Sequence, residues 1–184
     1  CFRESPWKLY RVNRDDYILS LGCDWNGDKV GTRICITGLS KKTGRISIAK
    51  LDNVQKEGWT QVAAINKIVE LNRQYNLDHI YVDEGFGESN VQQLKLKAIE
   101  QYGILPIGHP DLNLDKVVPV NFASTLELRD VVTNEIRKKY YKNFMVETVN
   151  RELEVGGLVL SVERSLPIVK QMKNYIIRTT TYNG

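Results

Sequence analysis

Short apolar runs and alternating apolar and polar residues mark three successive segments in the first third of the chain. Residues 17–24 (YILSLGCD), 31–38 (GTRICITG) and 45–52 (RISIAKLD) have the length and the composition of strands. Two short glycine-containing stretches, WNGDKVG and KKTG, separate them. The pattern predicts an antiparallel meander of three strands.

The period of the apolar residues then lengthens from that of a strand to that of a helix over residues 58–75. The residues that indicate this helix are Val62, Ile65, Ile68, Val69 and Tyr75. A short strand is predicted over residues 79–83 (HIYVD), followed by the glycine turn EGFG. A second helix is predicted over residues 89–102, because Gly103 is a natural helix stop.

Strands and helices continue to alternate in the second half of the chain. Extended segments are predicted at 104–108 (ILPIG) and 116–122 (KVVPVNF), and a strand at 158–162 (LVLSV). A helix beginning near Ser124 is predicted from the spacing of Leu128, Val131, Val132, Ile136 and Tyr140. The same spacing predicts a final helix through Leu166, Val169, Met172 and Ile176.

The resulting element order, β-β-β-α-β-α-β-α, indicates an α/β domain. Three antiparallel strands followed by strands that alternate with helices predict a mixed sheet with helices on both faces. We expect residues 1–16 to form a linker or N-terminal extension and residues 17–184 to form one domain. Ligand sites in such sheets lie at the carboxyl ends of the parallel strands, which is where we look for chemistry.

Two acidic residues occupy such strand ends. Asp24 closes the first predicted strand and Asp83 closes the fourth, and a glycine-containing turn follows each of them. An aspartate at a strand end is often only a cap or a turn residue. Two at the same end of adjacent strands would repel each other unless a cation lay between them. The pair therefore predicts a site for Mg²⁺ or Mn²⁺, with two ions supporting phosphodiester hydrolysis.

Asp28 and Glu84 are secondary metal-ligand candidates. Asp28 lies in the turn after the first strand, where it is in reach of a second ion or is simply a turn residue. Glu84 follows Asp83 directly, so on a continued strand its side chain points to the opposite face. We therefore interpret Glu84 as a surface residue or as a partner of the ligands.

The formal net charge of +4 is compatible with a phosphate-backbone partner but does not establish one. The DNA-contact candidates are the basic residues Lys41, Lys42, Arg45, Lys138, Lys139 and Lys142, together with Trp25 beside Asp24. A solvated basic face, and partial burial of Trp25 at the sheet rim, explain the same residues without DNA.

Other features of the composition exclude several classes of protein. No apolar run is long enough to span a membrane, so no membrane partner is expected. The three cysteines, at 1, 23 and 35, form no CxxC pair, which argues against a zinc site or a disulfide framework and favours a reducing setting. No P-loop motif of the form GxxxxGK[ST] occurs.

Five segments, taken in order, resemble the nuclease domain of the large terminase subunit of tailed bacteriophages. They are LGCDWNGDKVGT, IYVDEGFGESNVQQL, VVPVNFAS, ELEVGGLVLS and the QMKNY helix, and their order and spacing cover most of the chain. The resemblance implies a ribonuclease-H-like fold and a two-metal endonuclease that cuts concatemeric viral DNA during genome packaging. Asp24 and Asp83 match the positions of the family's first two metal ligands.

The resemblance also implies features that lie outside these residues. The family has a third acid beyond the final helix, and no such stretch precedes Gly184. We expect the domain to continue past Gly184; the alternative is that another residue completes the triad. Implied partners are double-stranded DNA, an upstream ATPase domain of the same protein, the portal and the small terminase subunit. The implied location is a packaging motor in the host cell cytoplasm that is absent from the mature virion.

Two other functional classes remain open from the sequence. An actin-like or sugar-kinase-like phosphotransferase shares the β-β-β-α-β-α core, and DWNGDKVGT is not far from its phosphate loop, although 184 residues would hold only half of such a protein. A catalytically silent DNA-binding or docking module on the same scaffold is the third interpretation. Cleavage of a plasmid in the presence of Mn²⁺, or binding of ATP, discriminates among them.

Overall fold

The computed structural model describes residues 13–25, 30–84, 89–95 and 116–160. Short 3-10 turns lie at Arg14–Asp16 and at Lys56–Gly58. The strands and helices, in chain order, are β1 (Tyr17–Asp24), β2 (Thr32–Ser40), β3 (Ile46–Val54), α1 (Gln61–Tyr75), β4 (His79–Asp83), α2 (89–95), β5 (Val117–Val120), β6 (Thr125–Arg129), β7 (Ile136–Tyr140), α3 (Tyr141–Glu154) and β8 (Leu158–Val159).

The main sheet of the described residues has the strand order β5-β4-β1-β2-β3-β8. The pairs β1–β2 and β2–β3 are antiparallel, whereas β4 is parallel to β1, β5 to β4 and β8 to β3. This is the mixed sheet of antiparallel and parallel strands that the sequence predicted. Strand β1 lies in the middle of the sheet, as its apolar run YILSLGCD indicated.

Helix α1 covers one face of this sheet. Its side chains Ala64, Ile65, Ile68 and Leu71 are buried in one cluster with strand residues that include Leu19, Leu21, Ile34 and Ile36. Burial of each such aliphatic side chain contributes about 1.5–3 kcal/mol. The helix begins at Gln61 rather than at residue 58 because the Thr60 hydroxyl caps it, accepting a hydrogen bond from the Ala63 N–H at 3.0 Å.

The prediction of a helix from Ser124 onward is wrong. Strands β6 and β7 form an antiparallel hairpin there, and the helix α3 begins only at Tyr141. The tip of the hairpin is held by the Asp130 carboxylate, which accepts hydrogen bonds from the N–H groups of Val132 (2.8 Å) and Thr133 (3.0 Å), and by Asn134 in the left-handed region. Val131 and Val132 are 98% and 89% exposed, so their helical spacing reflects no buried face.

Other predicted elements are confirmed in part or lie outside the described residues. Strands β1 to β4, β5 within 116–122 and β8 within 158–162 stand where the sequence placed them. The second predicted helix is described only over 89–95. The extended segment at 104–108 and the helix through Leu166 to Ile176 lie outside the described residues. Within the described ranges, no helix has both the length and the apolar character that crossing a membrane requires.

Arg14 and Asp78 fasten the chain before β1 to the ends of β1 and α1. The Arg14 guanidinium donates to the backbone oxygens of Tyr17 (2.8 Å) and Tyr75 (3.3 Å) and to the Asp78 carboxylate at 2.8 Å. The same Asp78 oxygen accepts the N–H of Leu19 at 2.7 Å. Arg14 thus lies against the domain, while the division at residue 16 remains a prediction.

We expect Asp78→Ala to lower the free energy of unfolding by about 2 kcal/mol, because it leaves the N–H of Leu19 and part of the Arg14 guanidinium without an acceptor. Urea unfolding followed by circular dichroism measures the change. Asp16→Ala is the matched control, since its partner Lys42 is exposed and such a pair contributes about 0–1 kcal/mol. Equal losses in the two variants would contradict the role assigned to Asp78.

Candidate metal centre

The two aspartates singled out from the sequence lie at the ends of neighbouring parallel strands. The β1–β4 register pairs Ser20 with His79 and continues to Cys23 with Val82. The next residues along this register are Asp24 and Asp83. Adjacent strands lie about 4.8 Å apart. The backbone therefore holds the two carboxylates side by side at the carboxyl end of the parallel pair.

Both carboxylates belong to the sheet face that α1 does not cover. Residues one step earlier, Cys23 and Val82, are buried in the core with α1, and side chains alternate between faces along a strand. Asp24 is exposed and Asp83 is half-buried. Burial of the Cys23 thiol raises its pKa, and the negative charges of Asp24 and Asp83 raise it further.

Asp24 has a basic neighbour on its other side. The β1–β2 register places Arg33 directly opposite Asp24, and both residues are exposed. Side chains that face each other across an antiparallel pair have Cβ atoms about 4.5–5.5 Å apart. The acidic pair is thus flanked by a guanidinium at the β2 side. Arg33 could not be singled out from the sequence, because only the register of the β1–β2 pair brings it opposite Asp24.

Trp25 is a core residue and not a surface one, which corrects its prediction as a DNA contact. Its side chain is 3% exposed and belongs to the central hydrophobic cluster, so neither ring face is open to a base. The indole Nε1–H donates to the backbone oxygen of Asp83 at 3.0 Å. The sequence offered partial burial as the alternative, and the structure shows complete burial with a bond to the site.

The structure describes Glu84, one of the two secondary ligand candidates, but not the other, Asp28. Glu84 is exposed, and its backbone N–H donates to the Val120 oxygen at 2.9 Å, which continues the pairing of β4 with β5. Asp28 lies outside the described residues. Among the residues that the structure describes, no group of three or more His, Cys, Asp or Glu side chains forms a metal-binding cluster. A metal held by Asp24 and Asp83 would need further oxygen donors.

The basic residues of the β2–β3 turn lie far from the acids. The β1–β2 register pairs Tyr17, at the start of β1, with Ser40, and the turn carrying Lys41, Lys42 and Arg45 follows. Asp24 lies seven residue steps along the strand from Tyr17, which is about 23 Å at the usual rise of a strand. These side chains are exposed, but the structure does not bring them to the acidic pair. A DNA contact through them stays a prediction.

The second group of basic residues lies on the hairpin and on α3. Lys138 forms an ion pair with Glu127 at 3.4 Å across the hairpin, and Lys139 pairs with Glu147 of α3. Lys142 is an exposed residue in the first turn of α3. The acidic partners offset part of the positive charge of this group. Its contact with DNA also stays a prediction.

The donor set fits a hard divalent cation. Carboxylate oxygens are the ligands that Mg²⁺ and Mn²⁺ prefer, and Mg²⁺ is usually held in proteins by one or two carboxylates plus water and substrate oxygens. Asp24 and Asp83 supply such a pair on an accessible sheet face. The neighbouring Cys23 side chain is buried with α1 on the opposite face of the sheet, away from the two carboxylates.

Comparison with solved structures identifies a common fold. The large terminase nuclease of the thermophilic phage G20c superposes with a TM-score of 0.54 at 15% sequence identity, covering 82% of this chain and 62% of the phage nuclease. The human cytomegalovirus terminase nuclease domain, soaked with manganese, superposes with a TM-score of 0.51 at 17% identity, covering 94% of this chain and 80% of that domain.

These likenesses confirm the fold that the sequence resemblance implied. Sequence identities of 15% and 17% support an inference about the fold alone. The chain spans less than two thirds of the length of the phage nuclease. No protein-family model matches the chain, and no curated protein matches it.

Proposed function

We propose that this chain is the nuclease domain of a viral DNA-packaging terminase, a metal-dependent endonuclease in which Asp24 and Asp83 hold the metal. The observation that carries the proposal is the β1–β4 register, which puts the two carboxylates side by side at the end of the parallel strands. The fold shared with two terminase nuclease domains supports the same conclusion, and one of those domains was studied with manganese.

The chemistry assigned to the site is phosphodiester hydrolysis. Bound Mg²⁺ or Mn²⁺, as two ions, supplies activation of water and stabilisation of the leaving oxygen. The chain's own residues hold and orient the metal ions and the substrate. Asp24 and Asp83 provide carboxylate oxygens from rigid strand ends. Arg33, opposite Asp24, provides a cation on the same face that is suited to a phosphate oxygen of the substrate. Further oxygen ligands, among which we include Asp28 and a third acid, complete the coordination.

The wider role follows the same proposal. The substrate is double-stranded DNA, cut from a concatemer at the start and end of packaging. The partners are an ATPase domain upstream in the same protein, the portal and the small terminase subunit, and the motor works in the host cell cytoplasm. The fold shared with the two terminase nucleases is the support for this assignment.

Metal removal tests the proposed activity. We expect the full-length protein to convert supercoiled plasmid to nicked and linear forms at neutral pH with millimolar Mn²⁺ or Mg²⁺, and to lose all cleavage in excess EDTA, because the acidic pair cannot hold a phosphate without a cation. Gel electrophoresis of the plasmid measures the result. Restoring the metal after EDTA is the control that shows the protein is intact.

Two outcomes would contradict the proposal. One is cleavage that persists in EDTA, and the other is no cleavage by the full-length protein with either metal. Tight ATP binding by residues 17–184 without cleavage would favour the phosphotransferase alternative instead. DNA binding without cleavage, at any metal concentration, would favour the silent docking module.

A further inference from the structure

Trp25 joins the two acid-bearing strand ends. It follows Asp24 directly, it is 3% exposed, and its indole N–H donates to the backbone oxygen of Asp83 at 3.0 Å. The β1–β4 ladder runs up to Cys23 and Val82. The indole bond therefore extends the link between the strands past the end of this ladder, to the residues that carry the carboxylates.

Trp25 is itself held by a second buried polar group. The Thr32 hydroxyl donates to the backbone oxygen of Trp25 at 2.9 Å and accepts the indole N–H of Trp59 at 2.9 Å. Thr32 is fully buried at the start of β2. Since a hydroxyl has one hydrogen to donate, these two bonds fix its direction. Four segments of the chain thus meet in one hydrogen-bond chain that ends on Asp83.

The position of these hydrogen bonds matters because metal binding depends on the spacing of the ligand atoms. Mg²⁺ demands near-ideal octahedral geometry, with oxygen ligands at about 2.0–2.1 Å, whereas Ca²⁺ accepts flexible geometry at about 2.3–2.6 Å. Functional constellations must be held to within about 0.5 Å by the residues that support them. A shift of β4 against β1 by more than this distance at Asp83 would take the two carboxylates out of position for one Mg²⁺ ion.

We propose that Trp25 is a positioning residue that sets the separation of the Asp24 and Asp83 carboxylates for metal binding, through its bond to the Asp83 oxygen and with Thr32 holding it in place. This rests on the proposed function, since it concerns the same site. Trp25 touches neither metal nor substrate, and it acts through the strand ends. Phenylalanine keeps an aromatic ring at this buried position but removes the indole N–H and part of the ring volume, so a variant of Thr32 is needed beside it.

The experiment measures metal binding to the full-length protein by isothermal titration calorimetry without nucleotide or DNA. The Asp24→Asn, Asp83→Asn double variant supplies the background from other metal sites. We expect Trp25→Phe to weaken Mg²⁺ binding about tenfold or more, as loss of an outer-shell partner typically does. Ca²⁺ binding should weaken less, because Ca²⁺ tolerates altered ligand spacing. A loss of fold would affect both ions equally.

A pair of conservative variants covers the case in which Trp25→Phe does not fold. Thr32→Ser keeps the hydroxyl, whereas Thr32→Val replaces it by a methyl group of similar size. We expect Thr32→Ser to bind Mg²⁺ as the wild type does and Thr32→Val to bind it more weakly, with melting temperatures recorded for both.

The failure of this inference and the failure of the proposed function are distinguishable. Mg²⁺ affinity unchanged in Trp25→Phe and in Thr32→Val, with the double aspartate variant losing its site, would overturn the positioning role and leave the proposed function intact. Unchanged Mg²⁺ binding in the double aspartate variant would overturn the proposed metal centre, and with it the role of Trp25.

Discussion

Replacing either Asp24 or Asp83 by asparagine is expected to reduce plasmid cleavage by about a thousandfold or more. Asparagine keeps the shape of the side chain but removes one negative charge from a site that consists of two. Metal ions contribute several kcal/mol of charge stabilisation to phosphodiester hydrolysis, and each 1.36 kcal/mol is a factor of ten in rate. Either substitution removes one of the two carboxylates that we propose as metal ligands.

The measurement is the initial rate of plasmid cleavage at saturating Mn²⁺, with melting temperatures as a check of the fold. Asp16→Asn is the matched control, because Asp16 is an acidic residue just before the other end of β1 and forms an ion pair with exposed Lys42. We expect Asp16→Asn to cleave at the wild-type rate. Cleavage within tenfold of wild type in both active-site variants would remove Asp24 and Asp83 from the catalytic centre.

The second large effect concerns stability and involves Gly31. This residue has a φ of 75° immediately before β2, and a Cβ there would collide with the backbone oxygen of Val54 and lie 3.0 Å from the backbone nitrogen of Lys56. Both of these atoms belong to the backbone, so a change of side-chain conformation cannot relieve the collision. We expect Gly31→Ala to lower the free energy of unfolding by more than about 3 kcal/mol.

Gly44 supplies the comparison for Gly31. Its φ is 65°, and no atom lies within 4 Å of the position a Cβ would take. Gly44→Ala therefore tests the left-handed backbone alone and should cost about 1 kcal/mol. Denaturant unfolding of the two variants measures the difference. Equal losses would show that the chain relaxes around Gly31 without penalty.

Cleavage gives a second readout for Gly31→Ala. The residue after Gly31 is Thr32, whose hydroxyl donates to the Trp25 backbone oxygen. A displaced start of β2 would therefore disturb Trp25 and, through it, the Asp83 strand end. We expect the cleavage rate of this variant to fall even at temperatures where it remains folded, whereas Gly44→Ala should retain its rate.

The sequence was informative about the strands and the acids because both depend on local patterns. Residues 17–24 form a mostly apolar run that predicted a central strand, and the structure has β1 there, flanked by β2 and β4, with Leu19, Leu21 and Cys23 buried on one face. The adjacency of Asp24 and Asp83 followed from the rule on parallel strand ends and agrees with the β1–β4 register. Their role as ligands remains a proposal.

The hairpin was missed because its apolar residues coincide with a helical period. Leu128, Val132 and Ile136 are spaced by four, yet they belong to a strand, an exposed turn and a second strand. The decisive signals were Asp130 and Asn134, which cap and close a tight turn. Such turn chemistry competes with helix propensity, and the pattern of apolar residues alone does not reveal it.

The neighbours of the acidic pair could not be predicted because they depend on register. Trp25 and Arg33 are eight residues apart in the chain, and only the exact pairing of β1 with β2 puts Arg33 opposite Asp24. In the sequence, Trp25 is an aromatic residue next to an acidic one. This pattern is as typical of a surface contact as of a buried residue. Its bond to the Asp83 oxygen links residues 58 positions apart.

The Arg14 cluster has a mechanical consequence. A pulling force on the chain before Asn13 would first meet the bonds from Arg14 to Tyr17, Tyr75 and Asp78, at the start of β1. The acids lie at the other end of that strand, about 23 Å away. The force would then act on the start of β1 through Tyr17 and on the end of α1 through Tyr75. The bonds of Arg14 to Tyr75 and Asp78 would divert part of that force to the end of α1, so β1 and its acid-bearing end would not carry it alone.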